Sequence, residues 1–164
     1  MNRKNFTITK EDIIANESNW LEGLRYKFEY FALTVVFKDK VNNNEIRWTD
    51  EYNKRIIGKI AKLIYPSKRT NDFSKSLSPH SYYEKDIRSK FKNFTDQSPH
   101  HIHALLQIEK RRSFKIWDYH KNEISERLKK DLLSVDTVQS IEMKIISAGM
   151  IEGWLKYIQK GKIF

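Results

Sequence analysis

The chain has 164 residues, enough for one ordinary domain with its own core, and an apolar fraction of 39 % spread along its length argues against global disorder. It contains no cysteine, which excludes disulfides, thiolate zinc sites and thiol nucleophiles and suits a reducing, intracellular setting. A net charge of +10 with 13 % aromatic residues points to a polyanionic partner and to stacking on unpaired bases, although most aromatics are expected in the core.

The opening residues, Met1 to Phe6, lack the apolar stretch of a signal peptide, and no run approaches the roughly 18 apolar residues of a membrane span. The expected setting is the cytoplasm, or the nucleus if a eukaryotic host is involved, with no membrane partner. Residues 1–25 read as a polar N-terminal extension with a small cluster at Trp20, Leu21 and Leu24 and a short helix beginning after Asn16 or Ser18. Phe31 to Phe37, rich in β-branched and aromatic residues, reads as a central strand. Asn42-Asn43-Asn44 marks a turn or loop.

Thr49 or Asp50 is placed to cap a helix that runs to about Tyr65, where Pro66 stops it. Tyr52, Ile56, Ile57, Ile60, Leu63 and Ile64 fall at helical spacing and define its buried face, away from Lys54, Arg55, Lys59 and Lys62. Residues 66–98 carry an excess of positive charge, many serines and a short strand signal around Ser81 to Glu84. His101 to Glu109 alternates as a strand, and residues 118–133 read as a helix with Tyr119, Ile124, Leu128 and Leu132 inward. Thr137 to Ile146 returns to strand character, and Gly149 opens a last helix to about Lys160. The expected architecture is α+β: one antiparallel sheet with helices packed on it, residues 1–164 forming a single domain.

Strand periodicity turns His101 and His103 to one face, with Ile102, Ala104, Leu106 and Ile108 on the other. The apolar set packs under helices, while the two imidazoles, about 7 Å apart at the backbone, converge on an open face. Two neutral imidazoles with carboxylate or amide oxygen and water suit Mn²⁺ or Mg²⁺. A bare His-x-His is more often two exposed polar residues, so the pattern needs a second element. The last helix supplies one. Its apolar arc is Met150, Ile151, Trp154, Leu155 and Ile158, with Tyr157 on one edge and Lys160 three residues further on the same side. In a structural reading Tyr157 is rim packing and Lys160 a cation at a helix C-terminus. In a catalytic reading the Tyr157 hydroxyl attacks a phosphodiester, a metal polarises the non-bridging oxygen, and Lys160 stabilises the phosphate.

His101-Ile102-His103, followed after a helix and a strand by Tyr157-Ile158-Gln159-Lys160, resembles the HUH endonucleases, in particular their single-tyrosine Rep branch, the initiators of rolling-circle replication. Leu33 to Phe37 is a weak counterpart of the first Rep motif, and the order of motifs spans roughly residues 30–160. The resemblance implies a ferredoxin- or RRM-like sheet with the His pair central and the tyrosine helix beside it. It implies nicking of single-stranded or hairpin DNA through a 5′-phosphotyrosine and a free 3′-OH, with rejoining by reversal. It also implies a third metal ligand, for which Glu84, Asp96, Gln97, His100 and Gln159 stand as alternatives. No Walker A pattern is present, so no helicase domain is expected and unwinding falls to another protein such as a host helicase.

Three alternatives remain open on these residues. A non-catalytic nucleic-acid-binding domain would use the basic segment 66–92 with Tyr82 and Tyr83. A nuclease in which water attacks would leave Tyr157 structural. A relaxase or transposase would share the tyrosine chemistry and differ in biological role. No Gly-rich phosphate loop or Gly-x-Ser-x-Gly elbow is present, and His80, His100 and His120 show no zinc-site spacing.

Overall fold

The computed structural model describes residues 7–37, 52–65, 80–85 and 100–160; the side chains of residues 52–54, 80–85, 100, 101, 159 and 160 lie outside the described set. The chain begins with α1 (Lys10–Gly23) and β1 (Phe28–Phe37). A π-helical turn, Tyr52–Ile57, runs into α2 (Gly58–Ile64), followed by β2 (His80–Lys85) and β3 (His100–Glu109). A 3₁₀ turn at Ser113–Lys115 leads to a small hairpin of β4 (Trp117–Asp118) and β5 (Glu123–Ile124). Then come α3 (Glu126–Leu133), β6 (Val138–Ile145) and α4 (Ile151–Lys160).

The main sheet is α+β in the expected sense: four antiparallel strands in the order β2-β3-β1-β6, with helices packed on it. Setting the short hairpin aside, the connectivity is the βαββαβ of ferredoxin-like sheets. β1 lies between β3 and β6, and its alternation feeds two cores. Phe31, Leu33, Val35 and Phe37 face α2 and α3 together with Ile102, Ala104, Leu106 and Ile108 of β3. Tyr30 and Leu105 face α1 and α4, meeting Ile14, Leu21, Ile151, Leu155 and Ile158. The four apolar residues expected under helices on β3 are all buried there.

Several sequence expectations shift. α1 starts at Lys10 because Thr9 accepts a hydrogen bond from the Asp12 amide while the Asp12 carboxylate receives the Thr9 amide, a reciprocal cap that outweighs the later Asn16 and Ser18. Its buried residues are Ile14, Ser18 and Leu21, whereas Trp20 is exposed. The helix expected over 118–133 is interrupted. Asp118 Oδ1 accepts from the amides of His120 and Lys121 at 3.0 and 3.1 Å, and Asn122 adopts a left-handed φ of 53°. This turn chemistry folds 117–124 into a hairpin, and α3 begins only after Ser125, whose hydroxyl caps Leu128. Tyr119 is accordingly exposed, with its hydroxyl 2.6 Å from Ser113 Oγ, while Leu128 and Leu132 are buried as expected. The caps expected at Thr49 and Asp50 and the stop at Pro66 lie outside the described residues. Within the described part, Ile56, Ile57, Ile60 and Ile64 are fully buried, and the strand signal near Ser81 is β2. Among the described residues no helix is long and apolar enough to cross a membrane.

The turn between β6 and α4 is pinned to the end of α1. Arg25 donates from Nη1 to the Ile146 carbonyl at 2.9 Å and from Nη2 to that of Ser147 at 2.7 Å. Glu22, ion-paired with Arg25, accepts the Gly149 amide at 2.8 Å. Gly149 itself has φ +81°, which a side chain would strain. The Arg25 hydrogen bond, with help from the Gly149 amide, holds the Glu22 carboxyl below its usual 4.5 against the opposing effect of burial. A depressed carboxyl stabilises the fold above its unfolded value and loses that contribution as pH falls through the folded value. Glu22→Gln is therefore expected to lower unfolding free energy by about 1 kcal/mol at neutral pH. The difference from the parent protein should vanish in denaturant titrations carried well below pH 4.5, where both side chains are uncharged.

Candidate active site

His103 lies in the middle of β3, opposite Thr34 of β1 and Tyr82 of β2 in the antiparallel register. Directly opposed residues share a face, and the Thr34 hydroxyl oxygen is 2.9 Å from His103 Nδ1. The next residue across on β6 is Glu142, exposed and paired with Lys144 at 2.8 Å. The row His103–Thr34–Glu142 thus crosses the sheet on the side of α4, and within it a neutral hydroxyl meets the imidazole.

α4 closes over this row. Ile151, Leu155 and Ile158 recur at i, i+4 and i+7 and are buried, each contributing about 1.5–3 kcal/mol through apolar burial. Trp154, one turn along, directs its indole Nε1–H at the Ala104 carbonyl, 3.0 Å away, fastening helix to strand beside His103. Tyr157 follows three residues later and stacks on Trp154 with ring centroids 5.2 Å apart and planes 25° from parallel. Both aromatics meet the imidazole edge to face, Trp154 at 5.7 Å and Tyr157 at 4.8 Å. Met150, expected in the apolar arc, instead precedes the helix and is exposed, because the turn at Ser147–Gly149 delays the helical start to Ile151.

The tertiary structure therefore brings together His103 and Tyr157, which the sequence separates by the β4–β5 hairpin, α3 and β6. It also changes the character of the histidine. An open face was expected, but His103 is only 4 % exposed, roofed by Trp154 and Tyr157, while Tyr157 is 49 % exposed at the rim. Thr34 and Trp154 complete the cluster. Neither was marked as a site residue in the sequence, where Thr34 reads as one β-branched residue of a strand and Trp154 as one apolar residue of a helix. The signal that could have found Thr34 is the register of β1 on β3, which depends on pairing.

His101 lies two residues before His103 in β3, opposite Val36 and Glu84 in register. Lys160 ends α4. The side chains of both lie outside the described residues. Of the alternatives for a third ligand, Glu84 is the cross-strand partner of His101, Asp96 and Gln97 lie outside the described residues, and His100 and Gln159 are described only in their backbone. Among the described residues no three His, Asp or Glu side chains are grouped to hold a metal ion. What His103 offers is one imidazole whose Nδ1 lies 2.9 Å from the Thr34 hydroxyl. An imidazole nitrogen is a donor type that divalent ions of this kind accept.

Two buried tyrosine side chains, Tyr30 and Tyr65, have their hydroxyls committed to hydrogen bonds. Tyr30 donates to the Leu21 carbonyl at 2.8 Å, and burial pushes its pKa to about 12. Tyr65 donates to the Glu109 carboxylate, and burial, with that hydrogen bond and charge, again pushes it to about 12. Such hydroxyls are poor sources of a phenolate nucleophile.

Compared with known proteins, the chain matches no family model, and no curated protein or solved structure matches it significantly.

Trp154 separates two contributions to the position of Tyr157. Trp154→Phe keeps a ring for stacking and removes the bond to Ala104; it is expected to cost about 1 kcal/mol. Trp154→Ala removes the stack as well, worth about 1 kcal/mol more for the ring pair alone. Urea unfolding of the two variants measures the difference, and an equal loss would place the stabilisation in the hydrogen bond.

Proposed function

We propose that this chain nicks and rejoins single-stranded DNA by the HUH-type reaction, with Tyr157 as nucleophile and His101 and His103 holding a divalent cation, Mn²⁺ or Mg²⁺. The observation that carries the reading is the contact between the Tyr157 and His103 rings at 4.8 Å, on a helix and a strand whose motifs were paired from sequence order alone. The phenolic oxygen of Tyr157 forms a bond to the phosphorus of a phosphodiester, and the bond from that phosphorus to the 3′ oxygen breaks. The leaving oxygen gains the proton lost by the tyrosine and becomes a free 3′-OH, while the 5′ phosphate stays on Tyr157. Attack by a 3′-OH on this linkage reverses both bond changes and restores a continuous strand. A bound divalent ion supplies charge stabilisation at the non-bridging phosphate oxygens.

The chain's own residues supply the placement. Trp154 stacks on Tyr157 and ties α4 to β3, so the nucleophile is held relative to the histidine strand rather than carried on a loop. The exposure of Tyr157 leaves its ring accessible to an extended strand, and Ser140 and Glu142, paired with Val36 and Thr34 across β6 and β1, are exposed as well. Lys160, three residues beyond Tyr157, is assigned to the phosphate. Initiation of rolling-circle replication of a plasmid, virus or mobile element is the biological role this chemistry suits, with single-stranded or hairpin DNA as partner and unwinding by a separate helicase. A relaxase or transposase would act through the same residues.

Incubation with labelled single-stranded DNA pools and Mn²⁺, resolved by denaturing electrophoresis, tests the reading. A covalent protein–DNA adduct is expected that requires metal and is lost in Tyr157→Phe with folding unchanged by circular dichroism. His101→Ala is expected to reduce metal-dependent cleavage by at least about 10–100-fold, the cost of losing even an outer partner of a metal ligand. Lys160→Ala should slow cleavage without abolishing it. Cleavage with no adduct would assign the attack to water, and binding without cleavage would leave a nucleic-acid-binding domain.

A further inference from the structure

We infer that Thr34 is a positioning residue for His103, its hydroxyl accepting the Nδ1 proton so that the ring is held in the tautomer with its lone pair on Nε2. The inference rests on the proposed metal-dependent reading and adds to it the residue that sets ring orientation. Three observations carry it. The Thr34 oxygen lies 2.9 Å from Nδ1. The two residues are directly opposed across β1 and β3, so the contact is built by strand register and not by a mobile side chain. Two aromatic rings meet the imidazole from the helix side, which limits how far it can rotate.

A neutral imidazole carries one N–H, and whichever nitrogen holds it cannot bind a metal. If the hydrogen is on Nδ1, the hydroxyl oxygen accepts it and Nε2 is the ligand atom. If the hydroxyl donates to Nδ1 instead, the hydrogen is on Nε2 and the ligand position is blocked. Histidines that bind metals are commonly oriented by a carboxylate or a backbone carbonyl. Among the described side chains of this row the carboxylate is Glu142, which stands one strand further away and pairs with Lys144. A hydroxyl orients the ring without adding charge.

The test uses the full chain with ¹⁵N-labelled histidine, free of metal and at a pH high enough to keep the ring neutral. Long-range ¹H–¹⁵N spectra report the tautomer, and the His103 signals are identified by their loss in His103→Gln. The parent protein is expected to show protonated Nδ1. Thr34→Val, nearly equal in shape, is expected to lose that preference and to bind Mn²⁺ about 10–100-fold more weakly by calorimetry. Thr34→Ser restores both, which a purely steric role for the methyl group would not. Protonated Nε2 in the parent overturns the inference, as does an unchanged tautomer and Mn²⁺ affinity in Thr34→Val. A tautomer that responds to Thr34 in a protein forming no Tyr157 adduct would leave the positioning role standing and remove the nuclease reading.

Discussion

The pairing of β1 with β3 is the constraint on which the rest of this structure depends. β1 is flanked on both edges and covered on both faces, so its residues alternate between two separate cores. A slip of one residue would send Phe31, Leu33, Val35 and Phe37 to the side of α4 and bring Thr34 under α2, exposing or overcrowding both cores at once. Burial therefore enforces the register, and the register sets Thr34 beside His103. A polar contact worth little by itself is placed with the accuracy of an entire hydrophobic layer.

The second layer of control acts through α4. Its N-terminal approach is tied to α1 by the Glu22–Arg25 pair, whose hydrogen bonds reach Ile146, Ser147 and Gly149. Its middle is tied to β3 by the Trp154 indole. Along its length Ile151, Leu155 and Ile158 seal the contact with α1 and the sheet. Tyr157 is then one turn beyond an anchored residue, at the boundary between a buried imidazole and solvent. That position combines restricted motion on one side with access on the other.

Much of this was legible in the sequence because it rests on local periodicity. Alternation along Ile102–Ile108 and along Phe31–Phe37 sufficed to mark buried strands, since period-two burial leaves a direct trace in residue type. The 3.6-residue spacing of Ile151, Leu155 and Ile158 marked the last helix in the same way. Failures came where short polar residues decided the backbone. The Asp118 turn, the left-handed Asn122 and the Ser125 cap broke an apparent helix whose apolar residues still fell at plausible intervals. The Thr9–Asp12 cap moved the start of α1 several residues earlier than its apolar cluster suggested.

The sequence by itself determined the alternation of elements, the two-faced burial of the central strands, and the pairing in order of a His-x-His strand with a Tyr-x-x-Lys helix. These follow from nearest-neighbour geometry, in which each residue's environment is encoded by residues a few positions away. Only the tertiary structure decided that Tyr157 meets His103, that Trp154 holds the helix to the strand between them, and that Thr34 is the hydroxyl facing the imidazole. Only it decided that His103 is buried and not displayed. Those contacts depend on strand order and helix docking, which are chosen by the closure of both cores together and leave no periodic mark in the chain.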